Sequence, residues 1–188
     1  MAAPSKKTII DLNGTWVLNK ALSDDEDDVR ALQGVSWFKR KAVTLATIEL
    51  HTKQYRTDDA VEHVDIRETI SGGFEGTLVN QTADWTTRSF ESTLFGPCNT
   101  RCRRCKLDEV DVPWLEEGWL PEIAEQGVLQ VVLESDTEKS GTTWRKSSTW
   151  GFEDIDGERR FTHHIDFFGP KEEHLQKRIV FDFVEETE

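Results

Sequence analysis

Cysteine is scarce in this chain: three residues in 188, all in one segment, at Cys98, Cys102 and Cys105. A secreted disulfide framework would use an even number spread along the sequence. Reduced thiols are the expectation. The spacing Cys98-x3-Cys102-x2-Cys105, with no histidine close by, offers three soft ligands where structural zinc takes four. The basic neighbours Arg101, Arg103, Arg104 and Lys106 are expected to lower the thiol pKa values, yet alternating strand positions are the plainer reading. Cationic charge is also short, with 23 Lys and Arg against 36 Asp and Glu and a net charge of −13. Phosphate backbones and anionic lipid surfaces both need clustered cations, so nucleic acid and membrane surfaces are poor partners. No stretch approaches the ~20 apolar residues of a membrane span, and the first residues carry no signal-peptide core. A cytoplasmic, soluble protein is expected. Gly-rich phosphate loops and the Gly-x-Ser-x-Gly elbow are missing too, so no cofactor and no serine nucleophile are expected. His163-His164 sit on opposite faces of a strand and cannot chelate one metal; no metal is expected.

Aromatic rings are plentiful. Seven Trp and ten Phe stand beside a single Tyr, Tyr55, and a single Met, Met1. An apolar fraction of 36% is enough for a core, and the length suits one domain, residues 1–188. Such rings either fill a core or line a cavity.

The chain opens with a short strand around 12–19. Ser23-Asp24-Asp25-Glu26 has the form of a capping box with acids at the helix start, Val29 and Leu32 mark an apolar face, and Gly34 is a natural stop. Ser36 can cap a second helix, 37 to about 46. From Thr47 the period becomes two: Ile48 and Leu50, then Val64 and Ile66, alternate with polar residues. Ser71-Gly72-Gly73 is a turn, and 76–82, 85–91 and 94–104 read as strands. Residues 108–127, with two prolines and two glycines, break the pattern as an inserted loop; such loops are lids or packed flaps. Strands return at 128–133, 142–153, 159–168 and 175–184, with a hairpin at Asp156-Gly157. About ten short antiparallel strands suggest an up-and-down barrel or a sandwich.

The first strand carries Gly14-Thr15-Trp16 and leads directly into helix–Gly–helix. The run from Asn13 to Leu50 resembles the opening of the cytosolic fatty-acid-binding proteins, in the calycin superfamily. The Gly-x-Trp triplet is shared with lipocalins. The resemblance implies an all-β, ten-stranded up-and-down barrel with a helix-turn-helix lid. It also implies a barrel-bottom Trp16 packed beneath an arginine of the last strand, here Arg178. The chain is similar as well to small lipocalin-like fungal proteins, some of which act as cofactor-free cyclases in natural-product pathways. Two departures stand out. The inserted loop makes the chain longer. The Arg-x-Tyr carboxylate clamp of the fatty-acid binders is replaced by Arg178-Ile179-Val180, so that headgroup site does not transfer.

Strand alternation assigns faces. The inward sets are Leu175, Lys177, Ile179, Phe181 and Phe183; Phe161, His163, Ile165 and Phe167; Trp144, Lys146, Ser148, Trp150 and Phe152; and Val64, Ile66, Glu68 and Ile70. A ten-stranded barrel is too wide for side chains to fill and should hold a ligand-sized cavity. The expected ligand contacts are Trp144, Trp150, Phe152, Phe161, Ile165, Phe181 and Ser148. His163, Lys146 and Glu68 are the candidate acid–base groups, because burial moves each toward a neutral-range pKa. Each has a plainer alternative: an interior hydrogen-bonded histidine, a lysine at the rim, a glutamate turned to solvent by a register shift. Two functions stand side by side. One is a barrel enclosing a hydrophobic, aromatic or polycyclic small molecule. The other is a cofactor-free cyclase or isomerase of the pericyclase type in the same cavity. A third is an adaptor using Trp114 and Trp119 of the inserted loop. Trp16 and Trp37 are expected to be structural. Oligomeric state is left open.

Overall fold

The computed structural model describes residues 1–73 and 76–185. Ten antiparallel strands form a single sheet: β1 (Gly14–Leu18), β2 (Ile48–Arg56), β3 (Glu62–Ile70), β4 (Leu78–Thr82), β5 (Arg88–Ser92), β6 (Gly96–Cys105), β7 (Val128–Ser135), β8 (Arg145–Ile155), β9 (Glu158–Phe168) and β10 (His174–Glu185). The spatial order is β4-β3-β2-β1-β10-β9-β8-β7-β6-β5. Every neighbour is a sequence neighbour except β1 beside β10, the pairing that curls an up-and-down meander toward a barrel. The edges β4 and β5 share no ladder. An isolated bridge between Asp84 and Arg103, Trp85 N–H donating to Cys102 O at 2.8 Å, and the Thr100 hydroxyl on Gln81 Oε1 at 3.2 Å draw β4 onto β6. The barrel is therefore nearly closed.

The turn chemistry follows the sequence. Asp156 and Gly157 both take positive φ, as a two-residue hairpin matched to strand twist requires, and Ile155 faces Glu158 across it. Helices α1 (Asp27–Leu32) and α2 (Trp37–Leu45) follow β1 and lie over one mouth of the barrel. Ser36 caps α2, accepting from Lys39 N–H. The expected capping box of α1 does not form. Ser23 instead exchanges hydrogen bonds with the backbone of Val180, and Asp24 with that of Arg178. These residues extend the β1–β10 seam, so α1 starts only at Asp27.

The other mouth is plugged. Trp16 is fully buried, donates its indole N–H to Leu12 O at 2.9 Å, and meets Phe152, Phe161 and Phe183 at ring separations of 5.0–6.0 Å. Burial of such a ring contributes on the order of 2–3 kcal/mol before packing is counted. Arg178 does not cover it. Its parity on β10 is opposite to that of Ile179 and Phe181, so it points outward near the lid end. The arginine at the plug is Arg159, 3.9 Å from the Phe152 ring centroid and ion-paired with Glu122 at 2.5 Å. Trp37 is also not structural. It is 62% exposed on α2, whose only buried residue is Val43.

The insertion contains α3 (Pro113–Glu116) and α4 (Glu122–Gln126) and lies flat on the outer wall of β8 and β9. Leu115 O accepts from the Thr149 hydroxyl, the Trp114 indole N–H donates to Ile165 O, and the Leu120 backbone N–H donates to Phe152 O. It is a packed flap, not a lid, and both its indoles turn onto the barrel. A final short turn, α5 (Thr137–Ser140), links β7 to β8. The three thiols are free and buried. Burial pushes Cys98 and Cys102 up to about 12, which overrides the lowering expected from the neighbouring arginines. Among the described residues no helix is long and apolar enough to cross a membrane.

Candidate functional site

Between the lid and the aromatic plug lies a cavity of about 230 Å³. Its walls come from alternate residues of nearly every strand, and its roof from Glu26, Arg30, Gln33 and Val43 of the lid. Of the residues expected to meet a ligand, Trp150, Ile165, Phe181 and Ser148 line it, and so do His163, Lys146 and Glu68. Three expected contacts lie elsewhere. Phe152 and Phe161 belong to the plug around Trp16. Trp144 precedes β8 and packs against Phe95 and Phe167 in the upper wall. Alternation gives the correct face for all three, but strand height puts them outside the cavity.

His163 sits mid-height on β9, opposite Trp150 on β8 and Ile179 on β10. Its ring stacks on Trp150 at 4.4 Å and meets Phe181 at 4.8 Å. Its Nε2 is buried without a hydrogen-bond partner among the described residues. Burial, aided by the Lys146 and His164 charges, holds its pKa well below the usual 6.5, so the ring is a neutral imidazole. The partner of Trp150 is Ser148: the indole N–H donates to its hydroxyl at 3.2 Å, and the hydroxyl donates to Val131 O at 3.3 Å.

The polar groups gather at the lid end. Lys146, beside Leu133 and Phe167, lies 3.8 Å from Glu26 Oε1, and Arg30 holds Glu26 Oε2 at 3.0 Å. Glu68 faces inward from β3, opposite Leu50. Burial pushes its pKa up, with Lys146 opposing and Glu26 reinforcing. A carboxyl biased to its neutral form can donate a hydrogen bond to a carbonyl. Glu26 and Arg30 are missing from the candidates that the sequence suggests. Their signal is an i, i+4 acid–base pair on a lid helix, and the capping-box pattern at Glu26 hides it.

The chain is 29% identical over 97% of its length to a "Probable pericyclase scpY" from Mollisia scopiformis, of which it covers 95%. No model of a protein family matches it. Among solved structures it superposes on a fatty acid binding protein of Schistosoma mansoni in complex with arachidonic acid, with a TM-score of 0.51, 10% identity, and 92% and 95% of the two chains covered. The REP1-NXSQ fatty acid transporter gives 0.51 at 16% identity, covering 92% and 96%. The wild-type fluorescent protein UnaG gives 0.51 at 13% identity, covering 92% and 97%. These likenesses show the fold: an up-and-down barrel like that of the fatty-acid-binding proteins.

The last strand carries Arg178-Ile179-Val180 in place of an Arg-x-Tyr carboxylate clamp. Ile179, Phe181 and Phe183 occupy the inner face of β10, and the cavity's charged groups stand at the opposite, lidded end. The flap adds a second buried layer outside β8 and β9. There His164 is stacked between Trp114 and Trp119 at 4.8 and 4.2 Å and paired with Glu153 at 3.1 Å.

Proposed function

We propose that this protein encloses a hydrophobic, aromatic or polycyclic small molecule in the barrel cavity, and that it works in the cytoplasm, where buried free thiols stay reduced. The observation that carries the reading is the roofed cavity itself, with Trp150, His163, Ile165 and Phe181 offering flat and apolar surface at its deep end. Each Å² of apolar ligand surface removed from water contributes roughly 25 cal/mol before the costs of immobilisation. The structural neighbours support a barrel that can hold such a guest. Titration with polycyclic probes should quench tryptophan emission saturably, and Trp150→Leu should remove most of that quenching. Linear, non-saturating quenching that is indifferent to Trp150 would reject the reading.

The second reading is a cofactor-free cyclase in the same cavity. It is favoured by the likeness to a probable pericyclase across nearly the whole of both chains. A pericyclic closure needs no covalent help. Its barrier falls when the substrate is held folded with its reacting carbons in contact, and when a carbonyl conjugated to them is polarised. The walls would impose the fold. Glu68 or Lys146 would donate a hydrogen bond to that carbonyl, and neutral His163 would orient it or relay a proton. Incubation with a linear polyene bearing a conjugated carbonyl decides between the readings. Saturable quenching without faster cyclisation leaves a binder. Turnover that survives Glu68→Gln, Lys146→Met and His163→Phe removes these residues from the chemistry.

A further inference from the structure

The charged groups lining the cavity are few and unevenly matched. Besides His163, which is neutral, they are Glu26, Arg30, Glu68 and Lys146. Glu26 is shared by two cations: Arg30 holds one oxygen at 3.0 Å, while Lys146 stands 3.8 Å from the other, beyond hydrogen-bond distance. Among the described residues Glu26 is the only ion-pair partner of the Lys146 ammonium, although its side chain is only 26% exposed. Glu68 makes no ion pair among the described residues and is pushed toward its uncharged form by burial. Two cations and two carboxylates thus line the cavity with one close ion pair among them, Arg30 with Glu26, in a chain whose overall charge is −13. The neighbouring acids are engaged elsewhere: Asp24 accepts from Arg178 N–H, Asp25 from Asp27 N–H, and Asp28 from Lys177. A half-buried ammonium with a loose partner is costly unless something completes its shell.

We propose that the guest carries one anionic oxygen head group, which sits at the lid end between Lys146 and Arg30 while its apolar body lies below against Trp150 and Phe181. This rests on the enclosing-barrel reading and adds the chemical class and orientation of the guest. Height along the strands fixes the orientation. Lys146 is the second residue of β8 and Trp150 lies four residues deeper, so a molecule spanning both is polar at the roof and apolar at the plug. Glu68 stands on a different wall, opposite Leu50, and burial biases it toward the form that can donate to the same head.

The test compares two probes that share one body: 1-pyrenebutyrate, with an anionic oxygen head, and 1-pyrenebutanol, with a neutral one. Binding is read at pH 8 by energy transfer from tryptophan to pyrene. The wild-type protein should bind the butyrate at least tenfold more tightly. Lys146→Met and Arg30→Met should each remove most of that preference, weakening the butyrate at least fivefold more than the butanol. Equal affinities in the wild type, or full preference in Lys146→Met, would overturn the head-group assignment while the enclosing barrel stands. Failure of both probes to bind the wild type would overturn the enclosing reading and this inference with it. If Lys146→Met loses both probes, Lys146→Arg decides: preference kept supports the inference, and preference lost overturns it.

Discussion

The neutral state of His163 has a measurable cost, and His163→Phe should expose it. The imidazole packs against Trp150, Phe161 and Phe181, and its Nε2 is buried with no hydrogen-bond partner among the described residues. An orphaned buried polar atom costs about 1–3 kcal/mol. A phenyl ring has nothing to orphan, and the cavity at its edge gives it room. The variant should therefore be more stable than the wild type at pH 8 by about 1 kcal/mol or more. The difference should also grow in acid. The folded-state pKa of His163 lies well below 6.5, so below that pH the unfolded chain binds a proton that the folded chain refuses. Its contribution to stability is complete above 6.5 and is lost as the pH falls. By linkage the wild type loses about 1 kcal/mol at pH 6 and about 2 kcal/mol at pH 5, provided its folded pKa lies below both. Other titrating groups are common to the two chains and largely cancel in the difference. Urea unfolding followed by tryptophan emission at pH 8, 6 and 5 supplies the comparison, with equal m-values as the control. A gap that stays flat with pH would show that folded His163 accepts the proton. A less stable variant at pH 8 would show that Nε2 has a partner. Either result refutes the reasoning.

Glu68→Gln should behave in the opposite sense. Burial raises the folded pKa of Glu68 above 4.5, so its contribution is complete below the unfolded pKa and is lost as the pH rises through the folded one; the variant should match the wild type near pH 4 and exceed it at pH 8 in thermal unfolding. Gly151 lies outward on β8, where an added Cβ would stand 2.6 Å from the Trp119 ring. Gly151→Ala should therefore lift the flap and lower stability by about 1–3 kcal/mol, with probe affinity unchanged; a loss of binding instead would make the flap part of the site. Trp37 and Phe38 are 62% and 78% exposed, so Trp37→Ser and Phe38→Ser should each shift stability by no more than about 0.5 kcal/mol in urea titration.

Much of the barrel is legible in the sequence because a period of two is a local property. It places Glu68, Lys146, Ser148 and His163 on the inner face, and Asp156-Gly157 fixes the register of β8 on β9. Height is not legible. Alternation cannot tell Phe152 in the plug from Trp150 in the cavity, because depth depends on how far each strand slides past its neighbours. The start of α1 is hidden for a related reason. Ser23 has the residue type and spacing of a cap, but a strand far away in sequence claims its hydroxyl. For Arg178 the family position conflicts with strand parity, and parity decides.

His163 and His164 show why face outweighs residue type. They are adjacent and both stacked on tryptophan, His164 buried beneath the flap and His163 partly open to the cavity. Thr149 and His164 follow the polar half of the alternation, the pattern of a solvated wall, yet each is at most 2% exposed because the flap covers them. Their polarity serves the flap. A loop laid across a sheet brings backbone carbonyls that need donors, and Thr149 and His164 bond to those of Leu115 and Trp114. Trp114 O stands 2.9 Å from Nδ1 of His164, while Glu153 Oε2 lies 3.1 Å from Nε2 at ion-pair distance without the geometry of a hydrogen bond. The role of His164 is to hold the flap. The Nε2 atoms of both histidines are buried without a hydrogen-bond partner among the described residues, but that of His164 is sealed under the flap beside Glu153, whereas His163, one residue earlier, lines the cavity. A group left without a partner in a folded protein costs stability, and a guest that brings the missing partner recovers that cost on binding. Of the two histidines, only His163 can therefore couple its chemistry to a ligand.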